Sequence, residues 1–329
     1  MSKTNTEKVS NTTLTMGLAG DVMIGRLVND HLAHVPSKYI WGDMLPLLKN
    51  QDVNLINLEA ALTNSETIVP KVFNFKADPC YVQTLVDASV DVVNLANNHV
   101  RDYGDEGLLE TVKTLDQVGI KHVGAGRNAK EAKKPVIISK KGITIGILGF
   151  SDNEPSWIAK EATPGIHYVD MTDINDFKKD IESIRKLVDI VLVSLHWGPN
   201  MRERPPQYFR QLAHALIDNG VDIIHGHSAH IFQGVECYKQ GLILYDTGDF
   251  LDDYYVDPIL RNDHSFYFIV TLTKQGFCSL QLIPTVISNF QVNKATGSER
   301  EAIISRMKML SHELGTTFID TPEGLFTKL

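Results

Sequence analysis

Four segments of this chain repeat one arrangement: QDVNLINLE (51–59), VDVVNLANN (90–98), VDIVLVSLH (188–196) and VDIIHGH (221–227). Each opens with an Asp, continues as a short apolar run rich in Val and Ile, and ends on a residue able to bind a metal. Asp52 and Glu59, Asp91 and Asn98, and Asp189 and His196 are each seven residues apart, while Asp222 and His227 are five apart. Continuous apolar runs of this length read as strands buried on both faces. The segments between them differ in length and character, so the recurrence is one of topology. A helix ends, a strand crosses the core, and a polar residue emerges at the strand's carboxyl end. In open α/β sheets that edge is where ligands bind.

The rest of the chain fits an α/β class. LTMGLAGD (14–21) reads as a first strand ending at Asp21. DEGLLETVKTLDQVGI (105–120) reads as a helix with Leu108, Val112 and Leu115 on one stripe and Gly119 at its C-terminal cap. ERPP (203–206) reads as a rigid loop opening a helix at Gln207. In the C-terminal third, GLILYDTGDF (241–250), HSFYFIVTLT (264–273) and FCSLQLIPTVI (277–287) are expected to form antiparallel strands. A last helix is expected over about 298–314, with Ser298 and Glu301 at capping-box spacing and Ile303, Ile304, Met307 and Leu310 buried. Residues 1–12 are polar and expected to be disordered. No linker divides the remainder, so 13–329 is expected to be a single domain.

Charge and cysteine usage narrow the function. The net charge of −8 speaks against nucleic acid or an anionic membrane as the main partner. Cys80, Cys237 and Cys278 are far apart and show no paired spacing, which points to a reducing compartment and no thiolate metal site. The polar N-terminus lacks the apolar core of a signal peptide, and no stretch reaches the ~18–20 apolar residues needed to span a bilayer. The expected location is cytoplasmic, without membrane insertion.

If the strands are neighbours, Asp21, Glu59, Asn98, His99, His196, His227 and His230 converge. Nitrogen and oxygen ligands without sulfur suit Zn, Mn or Fe. There are more of them than one tetrahedral ion needs, and two divalent ions bridged by a carboxylate would use them. His225 lies inside its strand and is expected to be structural or to support a ligand. Arg26 follows the Asp21 turn and is expected to contact an anion. Asn97 is expected beside the substrate or as a cap of the next helix, and Trp197 as a wall of the pocket.

Six motifs in order, GDVMIGR (20–26), NLEAALT (57–63), NLANNHVRDYG (94–104), HWG (196–198), GHSAHIFQGVE (226–236) and LILYDTGDF (242–250), resemble the CapA family of capsule or poly-γ-glutamate biosynthesis proteins. That family belongs to the metallophosphatase superfamily, and the resemblance runs over nearly the whole chain. It implies a calcineurin-like α/β sandwich: two mixed sheets face to face, helices outside, and a dinuclear site at one edge. By the family pattern Asp21 binds the first ion, Glu59 bridges, Asn98, His196 and His227 hold the second ion, and His230 returns to the first. His99 takes the position of a general acid or substrate-orienting residue. Met23 stands where many phosphoesterases have His, Glu59 where they have Asp, and GHSAH where the family has GHHPH. DTGDF replaces SLGNF, which puts Asp249 at an amide position near the metals and beside the substrate, where an extra carboxylate would repel a second anion. The implied activity is metal-dependent hydrolysis of a phosphate ester or a γ-glutamyl amide. Two alternatives stay open: metal-assisted epimerisation or isomerisation at the Cα of a peptide-like substrate, and a non-catalytic accessory role binding an anionic polymer.

Overall fold

Leu14, Met16 and Leu18 pack to one side of their strand, and Ala19 and Val22 to the other. Strands with two apolar faces need a layer above and a layer below. The computed structural model, which describes residues 12–328, supplies both with two stacked sheets, each covered outside by helices. The expected tail therefore lies almost wholly outside the described residues.

The first sheet runs in the order Ile319–Asp320, Leu325–Lys328, Gly276–Ser288, His264–Thr273, Leu14–Val22, Val53–Leu58, Val92–Asn94 and Lys121–Val123. The second runs Val235–Tyr238, Gly241–Leu244, Ile223–His227, Ile190–His196, Ile143–Ser151 and Val136–Lys140. Each combines parallel and antiparallel neighbours, so both sheets are mixed. Leu18, Leu55 and Val92 of the first meet Ile145, Leu192 and Ile223 of the second in one buried cluster. Outside the first sheet lies helix Gly104–Val118, burying Leu108, Val112 and Leu115, with Gly119 in the left-handed region at its end. Outside the second lie Asn175–Arg185 and Gln207–Asp218, which bury Phe177, Ile181, Phe209 and Leu212. This is the two-sheet α/β sandwich, helices outside, that the motif resemblance implies. Among the described residues no helix is long and apolar enough to cross a membrane.

The aspartates that open the four repeated segments share a structural task. Asp52, Asp91, Asp189 and Asp222 accept main-chain N–H groups from Thr15, Asn54, Thr144 and Val191, at 2.9, 2.8, 2.7 and 2.7 Å. Each donor is the second residue of the neighbouring strand. One end of the recurrence thus locks strand to strand, while the other carries polar side chains. Asp189 also accepts the Thr144 hydroxyl at 2.8 Å. Asp189→Ala leaves both donors without that acceptor and is expected to lower unfolding stability by roughly 1–3 kcal/mol, with metal binding unchanged. An unshifted denaturation midpoint would contradict this assignment.

Two local expectations are corrected. GLILYDTGDF is not one antiparallel strand. Gly241–Leu244 lies parallel to Ile223–His227 in the second sheet, while Asp249–Leu251 lies parallel to Leu14–Val22 in the first. The turn between them crosses from sheet to sheet through Gly248, whose φ of +68° suits glycine. The last helix is Gly297–His312, and Thr296 is its N-cap, with no side-chain cap bond. Ser298 already sits within the first turn and so does not cap. The expected buried face, Ile303, Ile304, Met307 and Leu310, is buried.

Candidate metal centre

Strand parity that builds the core also builds the site. Continuing in steps of two past Ile190 and Leu192 gives Ser194 and His196. Past Ile223 come His225 and His227, past Val53 and Leu55 comes Asn57, and past Val92 comes Asn94. All these polar residues are buried. The space between the sheets is therefore apolar along most of each strand and polar at the carboxyl ends. On Leu14–Val22 the parity changes, because the pairing register shifts between Leu18 and Asp21. Such an irregularity re-aims a side chain, and here it brings Asp21 among the histidines. Gly20 permits the close passage: a Cβ there would lie 1.8 Å from the Gly248 carbonyl oxygen.

Two groups of ligand atoms result. Asp21, His196 and His227 form the first; Asp21, Glu59, His230 and Asp249 form the second. His196 Nδ1 and His227 Nδ1 are 2.9 Å apart and lie 3.9 and 3.8 Å from Asp21 Oδ1. His230 Nδ1 lies 3.6 Å from Asp21 Oδ2 and 2.8 Å from Asp249 Oδ1. Asp21, not Glu59, is thus common to both groups, one oxygen facing each. Glu59 Oε1 is 3.9 Å from His196 Nε2, so the groups adjoin. Asn98 Oδ1 lies 2.9 Å from the same His196 Nε2, at the edge of the first group.

Asp249, expected at the substrate, is fully buried inside the second group, because the sheet-crossing turn pairs it directly with Asp21. Trp197 does not wall the cleft. It follows His196 by one residue, so parity sends it to the opposite face. There it stacks on Phe209 with ring centres 4.4 Å apart and donates to the Tyr245 carbonyl at 2.8 Å. Asn97 holds the loop: its Oδ1 accepts the N–H groups of His99 and Val100, both at 3.0 Å, and its amide donates to Asn57 and to the Leu58 carbonyl. Arg26 reaches the cleft, where its guanidinium lies 5.5 Å from the Phe75 ring centre and pairs with Asp253 at 3.3 Å.

His99 stands at the cleft side of the cluster. Its ring stacks on Phe75 at 3.8 Å, Nδ1 meets Asp102 Oδ2 at 2.6 Å, and Nε2 points toward Glu59 Oε1 at 4.0 Å. Asp102 also accepts the Phe75 N–H at 2.7 Å and pairs with Lys71 at 2.9 Å. A cleft of about 650 Å³ opens beside these groups, lined by Arg26, Lys71, Phe75, His99, His230 and Tyr254 among others.

Several residues of the site escaped the sequence reading. Asp102 was in view three positions after His99. Asn57, whose amide donates to Asp21 Oδ1 at 2.7 Å, was legible from parity. Asp246 had no signal, although its carboxylate ties the Ala229 and Gly248 N–H groups together at 2.8 Å each. Neither had Tyr254, whose hydroxyl lies 3.3 Å from Glu59 Oε2.

The electrostatics call for a cation. Burial, with Asp21 as the next cause, pushes Glu59 well above the usual carboxylate range. Burial, with Asp252 next, does the same to Asp249. Burial raises Asp21 to about 6 against the attraction of His230, and burial followed by Asp21 raises Asp246 to about 8. Burial depresses His196 and His227, keeping both rings neutral and able to ligate. Glu59 Oε1 is buried without a hydrogen-bond partner, and Asp249 meets a second carboxyl group, Asp252. Clustered buried carboxylates beside neutral imidazoles form a candidate ligand set for a divalent cation. A third group, Asp263, His264 and Glu299, differs. There Arg261 contacts Asp263 at 2.7 Å and Glu299 at 3.1 Å, so a guanidinium already supplies the positive charge.

Known proteins agree with this architecture. Residues 15–254 match the family described as bacterial capsule synthesis protein PGA_cap. A Mycobacterium tuberculosis protein named "Probable polyglutamine synthesis accessory protein" is 30% identical over 365 residues, covering 95% of each chain. The capsule biosynthesis protein CapA of Bacillus anthracis is 33% identical over 249 residues, which span 74% of this chain and 61% of that one. The PGA biosynthesis protein CapA of Bacillus subtilis is 33% identical over 258 residues, 76% of this chain and 67% of that one. Among solved structures, a hypothetical protein from Thermus thermophilus aligns over 82% of this chain and 98% of its own, with a TM-score of 0.51 and 14% identity, a likeness of fold. The chain belongs to the PGA_cap family of bacterial capsule synthesis proteins, the CapA family.

Proposed function

We propose that this protein is a metal-dependent hydrolase with a two-ion centre, acting on an anionic substrate whose scissile bond is a γ-glutamyl amide or a phosphate ester. The observation that carries the reading is the cluster of buried carboxylates Asp21, Glu59 and Asp249, with Glu59 Oε1 lacking a hydrogen-bond partner, beside a cleft that His99 also lines. Asp21, His196 and His227 would hold one ion, with Asn98 at the other nitrogen of the His196 ring. Asp21, Glu59, His230 and Asp249 would hold the other. Divalent ions so held supply Lewis acidity and make water a nucleophile at neutral pH. The chain's own residues do the rest. Burial pushes His99 down to about 4, so its ring rests neutral; with Nδ1–H donating to Asp102, the bare Nε2 would take the attacking water's proton and pass it to the leaving group. Phe75 keeps the ring flat against the cleft wall. Arg26 and Lys71 line the same wall, each paired with a carboxylate, Asp253 and Asp102, that an anionic substrate would have to compete with. The γ-glutamyl amide comes first among the candidates because two relatives are named for capsule and PGA biosynthesis.

The test is metal content per chain after purification without added metal, followed by turnover of aryl phosphate esters and γ-glutamyl peptides. Two ions and hydrolysis are expected. A second reading, an accessory role in polyglutamate synthesis without turnover, is favoured by the name of the mycobacterial relative. Recovery of a ligase partner in a pull-down, together with no hydrolysis in any assay, would replace the first reading by the second. Release of a Cα proton to deuterated solvent without net hydrolysis would instead indicate epimerisation.

A further inference from the structure

Behind His227 runs a buried chain of hydrogen bonds whose direction is set at its far end. The Gly226 carbonyl can only accept, and the Thr247 hydroxyl donates to it at 2.8 Å. With its one proton committed there, Thr247 Oγ1 acts as an acceptor toward His225 Nε2, 3.4 Å away, and the Ala19 main-chain carbonyl also accepts from the His225 ring. A buried imidazole is neutral and carries a single ring proton. His225 Nδ1 is therefore an acceptor, and the group facing it is the Ser194 hydroxyl at 3.3 Å. Having donated to His225, Ser194 Oγ accepts from His227 Nε2 at 2.9 Å. His227 Nδ1 is then left with its lone pair, and this is the atom that faces Asp21 and His196. Ser194, His225, His227 and Thr247 are all fully buried.

We infer that Ser194, His225 and Thr247 form a positioning relay that fixes His227 as the Nε2–H tautomer and presents Nδ1 to a metal ion. The inference rests on the reading of His227 as a ligand. It gives His225 a role: the ring is too deep to ligate but is the middle link between a main-chain carbonyl and the ligand. The opposite polarity would require the Thr247 hydroxyl to leave a carbonyl 2.8 Å away for a nitrogen 3.4 Å away. It would also put a proton on His227 Nδ1, where the ion belongs. Partners of this kind fix the tautomer of metal-binding histidines, and their loss typically lowers metal affinity about 10–100-fold.

The test uses the full chain, metal-free and labelled with ¹⁵N-histidine. The ring spectra of His227 report which nitrogen carries the proton, and a competing chelator measures Zn²⁺ affinity separately. The parent is expected to show protonated Nε2 and bare Nδ1. Ser194→Ala is expected to give mixed tautomers and about 10–100-fold weaker Zn²⁺ binding. Thr247→Val breaks the chain two links away at constant size and should act in the same direction, while Thr247→Ser retains the hydroxyl and should keep parental behaviour. This set remains decisive if Ser194→Ala does not fold. A proton on His227 Nδ1 in the parent would overturn the relay, as would Thr247→Val with unchanged tautomer and affinity. If the parent takes up no Zn²⁺, the ligand reading fails on its own, and the tautomer spectra still decide the relay.

Discussion

Asp21→Asn is expected to abolish binding of both ions while leaving the metal-free protein folded. Asp21 is common to both ligand groups, one carboxylate oxygen toward each. Asn keeps the shape but loses the charge and one acceptor, so neither group retains its shared anion. Without metal, however, the Asp21 charge is a burden. It helps to raise the pKa values of Glu59, Asp246 and Asp249, all buried beside it. Neutralising it relieves that repulsion but removes one of the two acceptors that meet the Asn57 amide and the Ser228 N–H. The parent should gain about 4 kcal/mol of stability when metal is supplied at a thousand times its Kd, and the variant should gain almost none. Thermal unfolding with and without metal measures both effects. Glu59→Gln gives the contrast, since Glu59 belongs to one group only. It should lose one ion and keep the other. If instead Glu59→Gln loses both ions and Asp21→Asn loses one, Glu59 is the bridging residue.

His99→Ala is expected to retain both ions and to lose turnover by about 10²–10⁴-fold. The ring is oriented from three sides: Asp102 at Nδ1, Phe75 beneath its face, and Asn97 Oδ1 on its main-chain N–H. None of these contacts holds a metal, so removing the imidazole leaves the ligand groups intact. Asp102→Asn should give a smaller loss, because an amide can still meet Nδ1 but no longer stabilises a protonated ring. Metal content measured on the same samples separates the explanations. Loss of an ion from His99→Ala would show that His99 ligates.

The strands and most of the site were legible because burial on two faces leaves a plain mark, an unbroken apolar run. A His, Asn or Glu at the end of such a run is costly to bury unless something compensates it. Trp197 was legible in principle, since the parity that points His196 inward points Trp197 outward. Asp249 was not. Its place depends on a turn that leaves one sheet and enters the other, and the local pattern of GLILYDTGDF contains no record of which strand it will join. Asp21 was assigned by motif, but its orientation comes from a shift in register with Val53–Leu58, a property of two strands together. The Asp at the start of each repeated segment was visible as a recurrence. Its role as acceptor for the neighbouring strand needed the sheet order.

The most direct test of the metal centre is a crystal structure of the protein loaded with Mn²⁺ or Zn²⁺, with the ions located by anomalous scattering. Two peaks are predicted. One should lie about 2.0–2.2 Å from donor atoms of Asp21, His196 and His227, the other at similar distances from Asp21, Glu59, His230 and Asp249. An absence of peaks between the two sheets, or a single peak at Asp263, His264 and Glu299, would contradict the account.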